Sequence, residues 1–373
     1  MKPEDKKVEQ TQNSELTVRY ITTESEFNLL RDDWIRLHKI SDTAGLFNSW
    51  YWNRLWWQYY GDLGELFIIV VSVDNVVQGI APLYRCHTKV LKLHNVMTLR
   101  FIGSGGDTAP DNLGVLHNAD FTDVVMENTC QLIFHASECT RLQLNDMNEN
   151  SDFEQSLIKS ALARKWGRPH THQQHRHVDA LPSTIEMYEK NLSRNARKNR
   201  KRRRQLLGSA AKKIQFKTCV SLAEINSAFK ELVRLHHLRH ASKGGSDSFQ
   251  SDRYQQFHVA VMEKALACNE LRLMSLIVDD KTIGVEYAFL CKGTLSFFQT
   301  GFDPAFQHLS PGHLLMMETI DRAIQDNAKY VDLLKGDYEY KQSYAKQKKT
   351  TSNLELWKSP AIGLIAGFYR HIS

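Results

Sequence analysis

Cysteine is sparse and unpatterned in this 373-residue chain. Its six cysteines (Cys86, Cys130, Cys139, Cys219, Cys268 and Cys291) form no CxxC pair and no zinc-ligand spacing. That excludes a disulfide framework and leaves reduced thiols as the expectation. Long apolar runs are missing too. The longest, such as Leu66–Val71 and Leu314–Met317, fall far short of the ~20 residues that cross a bilayer. The first fifteen residues contain no apolar stretch, so no secretory signal is read and a cytoplasmic location is expected. They are expected to be a disordered tail. Apolar residues make up 42% and charged residues 24%, which places the chain in the globular class with length for two ordinary domains.

Acid is absent from one stretch. Between Arg194 and Lys213 there are ten Lys or Arg and no Asp or Glu, while the whole chain carries only +6. The rest of the protein is therefore a mildly acidic body at −4, carrying a single basic element. Read as a helix, this segment has charge all round it, which is not the pattern of a plain amphipathic surface helix.

What is present begins with a repeat. "ELFIIVVSVDNVVQGIAPLY" from Glu65 aligns without gaps with "ELRLMSLIVDDKTIGVEYAF" from Glu270. Both read as strand, tight acidic turn, strand. Each is followed at a distance by a helix and then a strand: Val124–Ala136 with "RLQLNDM", and Pro311–Asn327 with "YVDLLKG". The spacing predicts two related α/β halves that meet near Leu181-Pro182. The domain reading is a tail over 1–15, a first half over 16–181, a second half over 182–359 and a short terminal helix over 360–373. In the second half, Leu271–Val278, Thr282–Cys291 and Thr294–Thr300 read as an antiparallel meander. Helices are expected over Ile225–Ala241 and Ser251–Ala267. Ser310 fits an N-cap and Pro311 the first helical position of the next helix.

Several residues are candidates for chemistry. "SPGH" at Ser310, Pro311, Gly312 and His313 opens a helix beyond a sheet, where free N–H groups favour an anion. "KGDYEYK" places Asp337, Tyr340 and Lys341 at a strand margin. Glu286 is either a buried carboxylate able to act as a base or an outward-facing strand residue. "HTHQQHRH" at His170–His177 has no Cys or carboxylate among its histidines, so a polar linking strand is expected and no metal site. "WYWNRLWWQYY" reads as a helix that packs Trp52, Leu55 and Trp56 on one face. "FIGSGGDTAPDNLGVL" reads as a surface loop with Asp107 and Asp111 exposed.

Together these segments resemble the CelD-type acetyltransferases, a GNAT-like family tied to bacterial polysaccharide synthesis and distantly Fem-like. The resemblance rests on "LSRNARKNRKRRRQL", "LHHLRH", "FFQTGFDPAFQHLSPGHLLMMETIDRAI" and "VDLLKGDYEYKQSYA", supported upstream by "FNSWYWNRLWWQYYGD" and "GIAPLY". It departs from the family pattern at His240 and Tyr344, where tryptophan is usual. It implies tandem GNAT-like (acyl-CoA N-acyltransferase) halves, each a mixed, mostly antiparallel sheet flanked by helices. It also implies acyl transfer from acetyl-CoA or another acyl-CoA, without a metal, to the amine of an envelope or polysaccharide precursor such as an amino sugar.

On that resemblance Ser310 to His313 would hold the donor. Asp337 or Glu286 would be the base, Lys341 the oxyanion or acceptor contact, and Tyr340 the acid. His236, Arg239, Arg197 and Gln299 would meet substrate. The basic helix would place cations beside the cleft between halves. The expected partners are a small acyl donor and an amine acceptor, with a membrane surface or synthase complex as a further association. Nucleic acid is not expected. Two rival readings remain: an RNA-engaging protein, either a Fem-like aminoacyl-tRNA-dependent transferase or a non-catalytic binder, and an inactive GNAT-like partner of a synthase. The apolar end, Pro360–Ser373, would dock or pack back on the domain.

Overall fold

The computed structural model describes residues 15–90, 94–136, 138–241 and 248–363. Nearly all of the expected tail, and residues 364–373 of the terminal apolar segment, lie outside the described residues.

The first half contains β1 (Leu16–Ile21), α1 (Glu24–Leu29), α2 (Arg31–Ile40), α3 (Trp50–Tyr60), β2 (Glu65–Leu66), β3 (Ile68–Val73), β4 (Val76–Ala81), β5 (Leu83–Val90), β6 (His94–Phe101), β7 (Leu116–His117), α4 (Thr122–His135), β8 (Arg141–Asn148) and α5 (Asp152–Ala163). The histidine-rich segment forms most of β9 (His170–Ala180). The second half runs α6 (Ile185–Asn191), α7 (Arg194–Ala210), β10 (Ile214–Thr218), α8 (Leu222–Ala241), α9 (Asp252–Ala267), β11 (Leu271–Val278), β12 (Lys281–Cys291), β13 (Thr294–Phe302), α10 (Pro311–Gln325), β14 (Tyr330–Lys335) and β15 (Gln347–Trp357).

The repeat holds at the level of the backbone. Asp74-Asn75 and Asp279-Asp280 both take left-handed φ at both positions, as a two-residue hairpin turn of the primed type requires. Both hairpins carry a bulge at the matching place, after Val71 in one and after Leu276 in the other. Each also brings a glycine under a helix. A Cβ on Gly79 would lie 2.3 Å from Val125 of α4, and one on Gly284 would lie 2.8 Å from Leu315 of α10.

The copies part after that point. β12 runs on unbroken to Cys291, whereas the first-half strand stops at Ala81 and resumes as β5 in the other sheet. Pro82 sits at the break, where its missing N–H removes a ladder bond. The first half thus has a four-stranded sheet, ordered β1-β3-β4-β7. The other sheet has eleven strands and crosses both halves in the order β10-β11-β12-β13-β14-β9-β15-β8-β6-β5-β2. The two halves join through β15, which pairs antiparallel with β9 on one side and β8 on the other.

The aromatic helix α3 forms because Ser49 caps it, accepting from Trp52 N, and because its bulky residues recur at helical spacing. Trp52 and Trp56 are fully buried. Trp52 stands 5.2 Å from Phe257 and 6.0 Å from Phe298, edge-on to both, so one core spans the halves. α10 packs on the opposite sheet face, over Leu295, Phe297, Val331 and Leu333.

Candidate active site

β13 and β14 run parallel but pair only from Thr294–Ser296 to Tyr330–Asp332. Beyond Ser296 the strands part. Two local causes can be named. β13 carries a bulge at Phe298, where the register against β12 slips between Tyr287 and Ala288. β14 is pulled the other way, towards the first half. Leu334 and Gly336 take left-handed φ. Lys335 N donates to Asp111 Oδ2 at 2.9 Å, and Lys335 Nζ to Asp146 Oδ1 at 2.7 Å. Gly336 N donates to His175 O. The result is a wedge whose β13 side, from Phe297 onward, has no strand partner.

The N-terminus of α10 stands at the wide end of this wedge. Gly312 lies over Phe302 and Thr300, with its absent Cβ position 3.6 Å from Phe302. Ser310 occupies the cap position but in left-handed backbone, and its side chain makes no capping bond, which corrects the simple N-cap expected. The first N–H groups of the helix therefore remain available to an anion. His313 Nδ1 is 2.7 Å from the Tyr344 hydroxyl, with the rings stacked. Burial, helped by the Arg203 charge, lowers His313 to about 4, so its ring is neutral at pH 7. Burial also pushes up the Tyr344 phenol, so both partners of that bond are neutral. Arg203 is half-buried and its Nε has no partner. It is a cation near the helix start that sequence reasoning did not single out.

Behind the helix start lies a carboxylate. Glu286 on β12 is fully buried, on the α10 side of the sheet, which decides between the two orientations open in the sequence. Thr300 Oγ1 bonds both its oxygens. Burial raises its pKa well above the usual carboxylate range, against the bond from Thr300 and the charge of Arg239. Arg239 donates to Thr300 O at 3.1 Å and its guanidinium lies 5.0 Å over the Phe302 ring. Tyr340 completes the group. Enclosure of its phenol and the neighbouring Glu286 charge push it up to about 12 although 41% of the residue stays exposed, and its ring meets His313 edge-on.

Other candidates are placed differently. Asp337 bonds Lys348 Nζ at 2.8 Å and His177 Nε2 at 2.9 Å. The Lys348 bond, then that of His177, holds it down to about 2, which suits an anchor rather than a base. Lys341 is buried, and its ammonium donates to the carbonyls of Leu333, Leu334 and Lys335 at 2.7–2.9 Å. All three of its protons are directed at carbonyls of the bent end of β14. Burial lowers it to about 8 against the pull of Asp111, Asp332 and Asp337.

His236 is buried edge-on to Phe249. Gln299 lies beside the Tyr254 hydroxyl. Arg197 is exposed on α7 and donates to Lys190 O. The side chain of His240 lies outside the described residues. Asp111 is buried rather than exposed, because its loop folds onto the end of β14. Burial raises it to about 7 although Lys335 pulls it down. Among the described residues no group of three His, Cys, Asp or Glu is arranged to hold a metal ion, and no helix is long and apolar enough to cross a membrane.

The basic helix is not charged all round to solvent. Arg200 is buried, pairs with Asp321 of α10, and bonds Glu189 at 3.1 Å. Arg204 bonds the same Asp321 at 2.6 Å. Leu207 is buried against Leu314 and Leu315. The inner face of α7 is therefore docked on α10. This places α7 on the α10 side of the sheet and not beside the cleft between halves.

Residues 194–342 match a protein family described as an acetyltransferase (GNAT) domain. No curated protein matches the sequence. Among solved structures the chain is similar to FemX, with 9% identity and a TM-score of 0.62 over 94% of this chain and 100% of that one. It is also similar to a conserved protein of unknown function from Bacteroides thetaiotaomicron VPI-5482, with 11% identity and a TM-score of 0.58 over 92% of this chain and 100% of that one. At such identities the likeness speaks for the fold alone: mixed, mostly antiparallel sheets flanked by helices. The second half carries the GNAT-type acetyltransferase match.

Proposed function

We propose that the protein is an acyl-CoA-dependent N-acyltransferase. It takes an acyl group, acetyl in the simplest case, to an amine of an amino sugar or a related envelope or polysaccharide precursor. The observation that carries this reading is the wedge between β13 and β14 that opens onto the free start of α10, inside the segment matched to a GNAT domain. An extended pantetheine arm fits beside an unpaired strand edge, and the diphosphate of coenzyme A suits the helix N-terminus with Arg203 at its side. The CelD-like motifs at "SPGH" and "KGDYEYK" support the same assignment.

The acceptor's neutral amine attacks the thioester carbonyl. A C–N bond forms, the C–S bond breaks, the amine loses one proton and the thiolate gains one. Glu286 receives the amine proton, directly or through water, and Thr300 fixes its orientation. Tyr340 delivers a proton to the departing thiolate. Lys341 and Asp337 hold the end of β14 that forms one wall.

Thermal unfolding with acetyl-CoA tests the donor. A ligand at about 100 times its Kd adds about 2.7 kcal/mol, which moves the midpoint by a few degrees. The shift is expected to vanish in Gly312→Trp. No shift with either acetyl-CoA or free CoA overturns the reading.

One observation favours a second reading. Arg194, Lys198, Lys201 and Arg202 are exposed on α7 and make no ion pair among the described residues. Such a face suits RNA, as a Fem-like aminoacyl-tRNA donor would require. A tRNA-induced shift that falls steeply with salt, without any response to CoA, would favour it.

A further inference from the structure

A cleft of about 810 Å³ lies between the two halves, on the sheet face away from α10. Side chains alternate along a strand. Leu295, Phe297, Val331 and Leu333 pack beneath α10, whereas Thr294, Ser296, Tyr330 and Asp332 line the cleft. Ser296 and Asp332 are also the last paired rung of β13 and β14. The floor of the cleft therefore reaches the foot of the wedge from the side opposite the proposed donor.

The two sides differ in charge. The donor side has the helix start, Arg203 and the cations of α7. In the cleft, Arg176, Lys348 and Lys349 meet the carboxylates of Asp42, Glu149, Asp152 and Asp332. Arg176 is already paired with Asp332, and Lys348 with Asp337. Nothing there offers a diphosphate an uncompensated cation cluster, and the slight excess of acid favours an amine.

The lining mixes apolar Phe47, Leu113 and Val115 with amide and hydroxyl groups, as a sugar ring with C–H faces and hydroxyl edges requires. The amides of Asn148 and Asn150 and the hydroxyls of Thr43, Ser151 and Thr350 line the cleft with donors and acceptors for such a ligand.

We infer that this cleft binds the acceptor, and that the acceptor is an unphosphorylated, hydroxyl-rich amine such as the amino-sugar unit of a glycan. Donor and acceptor then enter from opposite faces of the sheet and meet where β13 and β14 part. This rests on the acyltransferase reading for the donor, but the cleft can be tested without it.

The probes are a glucosamine oligomer, glucosamine and UDP-glucosamine, titrated by calorimetry into the whole protein, with thermal shifts by acetyl-CoA measured in parallel. Thr294→Trp fills the cleft from its floor. Tyr330→Ala removes an exposed rim aromatic, 49% accessible, that the core does not need. Thr294→Trp is expected to weaken the oligomer by at least about tenfold, and Tyr330→Ala by several-fold, both leaving the acetyl-CoA shift intact. Two results would overturn the proposal: oligomer binding that neither variant changes, or no binding of any probe to a protein that does respond to acetyl-CoA. UDP-glucosamine binding about tenfold tighter than glucosamine would overturn the unphosphorylated class. Oligomer binding that Thr294→Trp abolishes, in a protein indifferent to acetyl-CoA, would remove the donor reading and leave the cleft standing.

Discussion

The hydroxyl of Thr300 stands within 2.9 Å of both carboxylate oxygens of Glu286. One hydroxyl donates to only one of them at a time, so the two contacts are alternatives that hold the carboxylate in one orientation. Burial raises the pKa of this carboxyl, which makes its ionised form the stronger proton acceptor. The sign of the pH effect follows. A carboxyl with a raised folded-state pKa binds more protons in the native than in the unfolded state. Its contribution to stability is present at low pH and is lost as pH rises through the folded value. Glu286→Gln should therefore flatten the decline in stability above about pH 5, as read from urea midpoints across pH.

The same substitution separates stability from catalysis. With Glu286 as the base, kcat should fall by roughly 10²-fold or more while the melting temperature does not fall. Full activity in Glu286→Gln would remove it from the proton path.

His313 should show the opposite pH behaviour. Its folded pKa is lowered to about 4, so it contributes stability above the ordinary histidine range that is lost as pH falls towards 4. Its imidazole resonances should not move between pH 5.5 and 8. Tyr344→Phe removes the hydroxyl partner and should alter the His313 ring signals, with only a small loss of stability of about 1 kcal/mol.

The arginines of α7 should divide into two classes. Arg200→Ala leaves the buried Asp321 carboxylate with Arg204 as its remaining cation and should cost about 1–3 kcal/mol. The double change Arg200→Met with Asp321→Leu should recover most of that loss. Neutralising Lys198, Lys201 and Arg202 should change stability by no more than about 0.5 kcal/mol, because these side chains are exposed and unpaired among the described residues. Denaturant melts of the variants would rank them.

Glycines give a steric contrast. A Cβ at Gly79 would press on Val125 at 2.3 Å and one at Gly284 on Leu315 at 2.8 Å, whereas at Gly312 the nearest atom is 3.6 Å away. Alanine should cost about 1–3 kcal/mol at the first two positions and little at the third. Equal losses at all three would mean that helix contact does not explain the pair.

The hairpins were legible in the sequence because turn, bulge and glycine are local devices, and Asp74-Asn75 and Asp279-Asp280 advertise them. The start of α10 was legible for the same reason, apart from the left-handed Ser310. What escaped the sequence depends on partners far along the chain. Arg200 reads as one more surface cation until Asp321, 121 residues away, is beside it. Asp111 reads as a loop tip until Lys335 meets it across 224 residues. Lys341 was placed at the right margin, but its three protons are taken by carbonyls whose positions follow from the bend at Leu334. Thr300 had no sequence mark beyond lying on the strand after Glu286.

β15 lies between β8 and β9, yet it is translated after both of them. On the ribosome the first half thus waits with two sheet edges open for a strand that arrives last. Such edges are sticky, and pairing so distant in sequence is slow to form. Domain-by-domain maturation, the ordinary route for a nascent chain, would leave both edges unpaired until β15 emerges. A product truncated before Gln347 would keep them open and is expected to aggregate more readily than the whole chain.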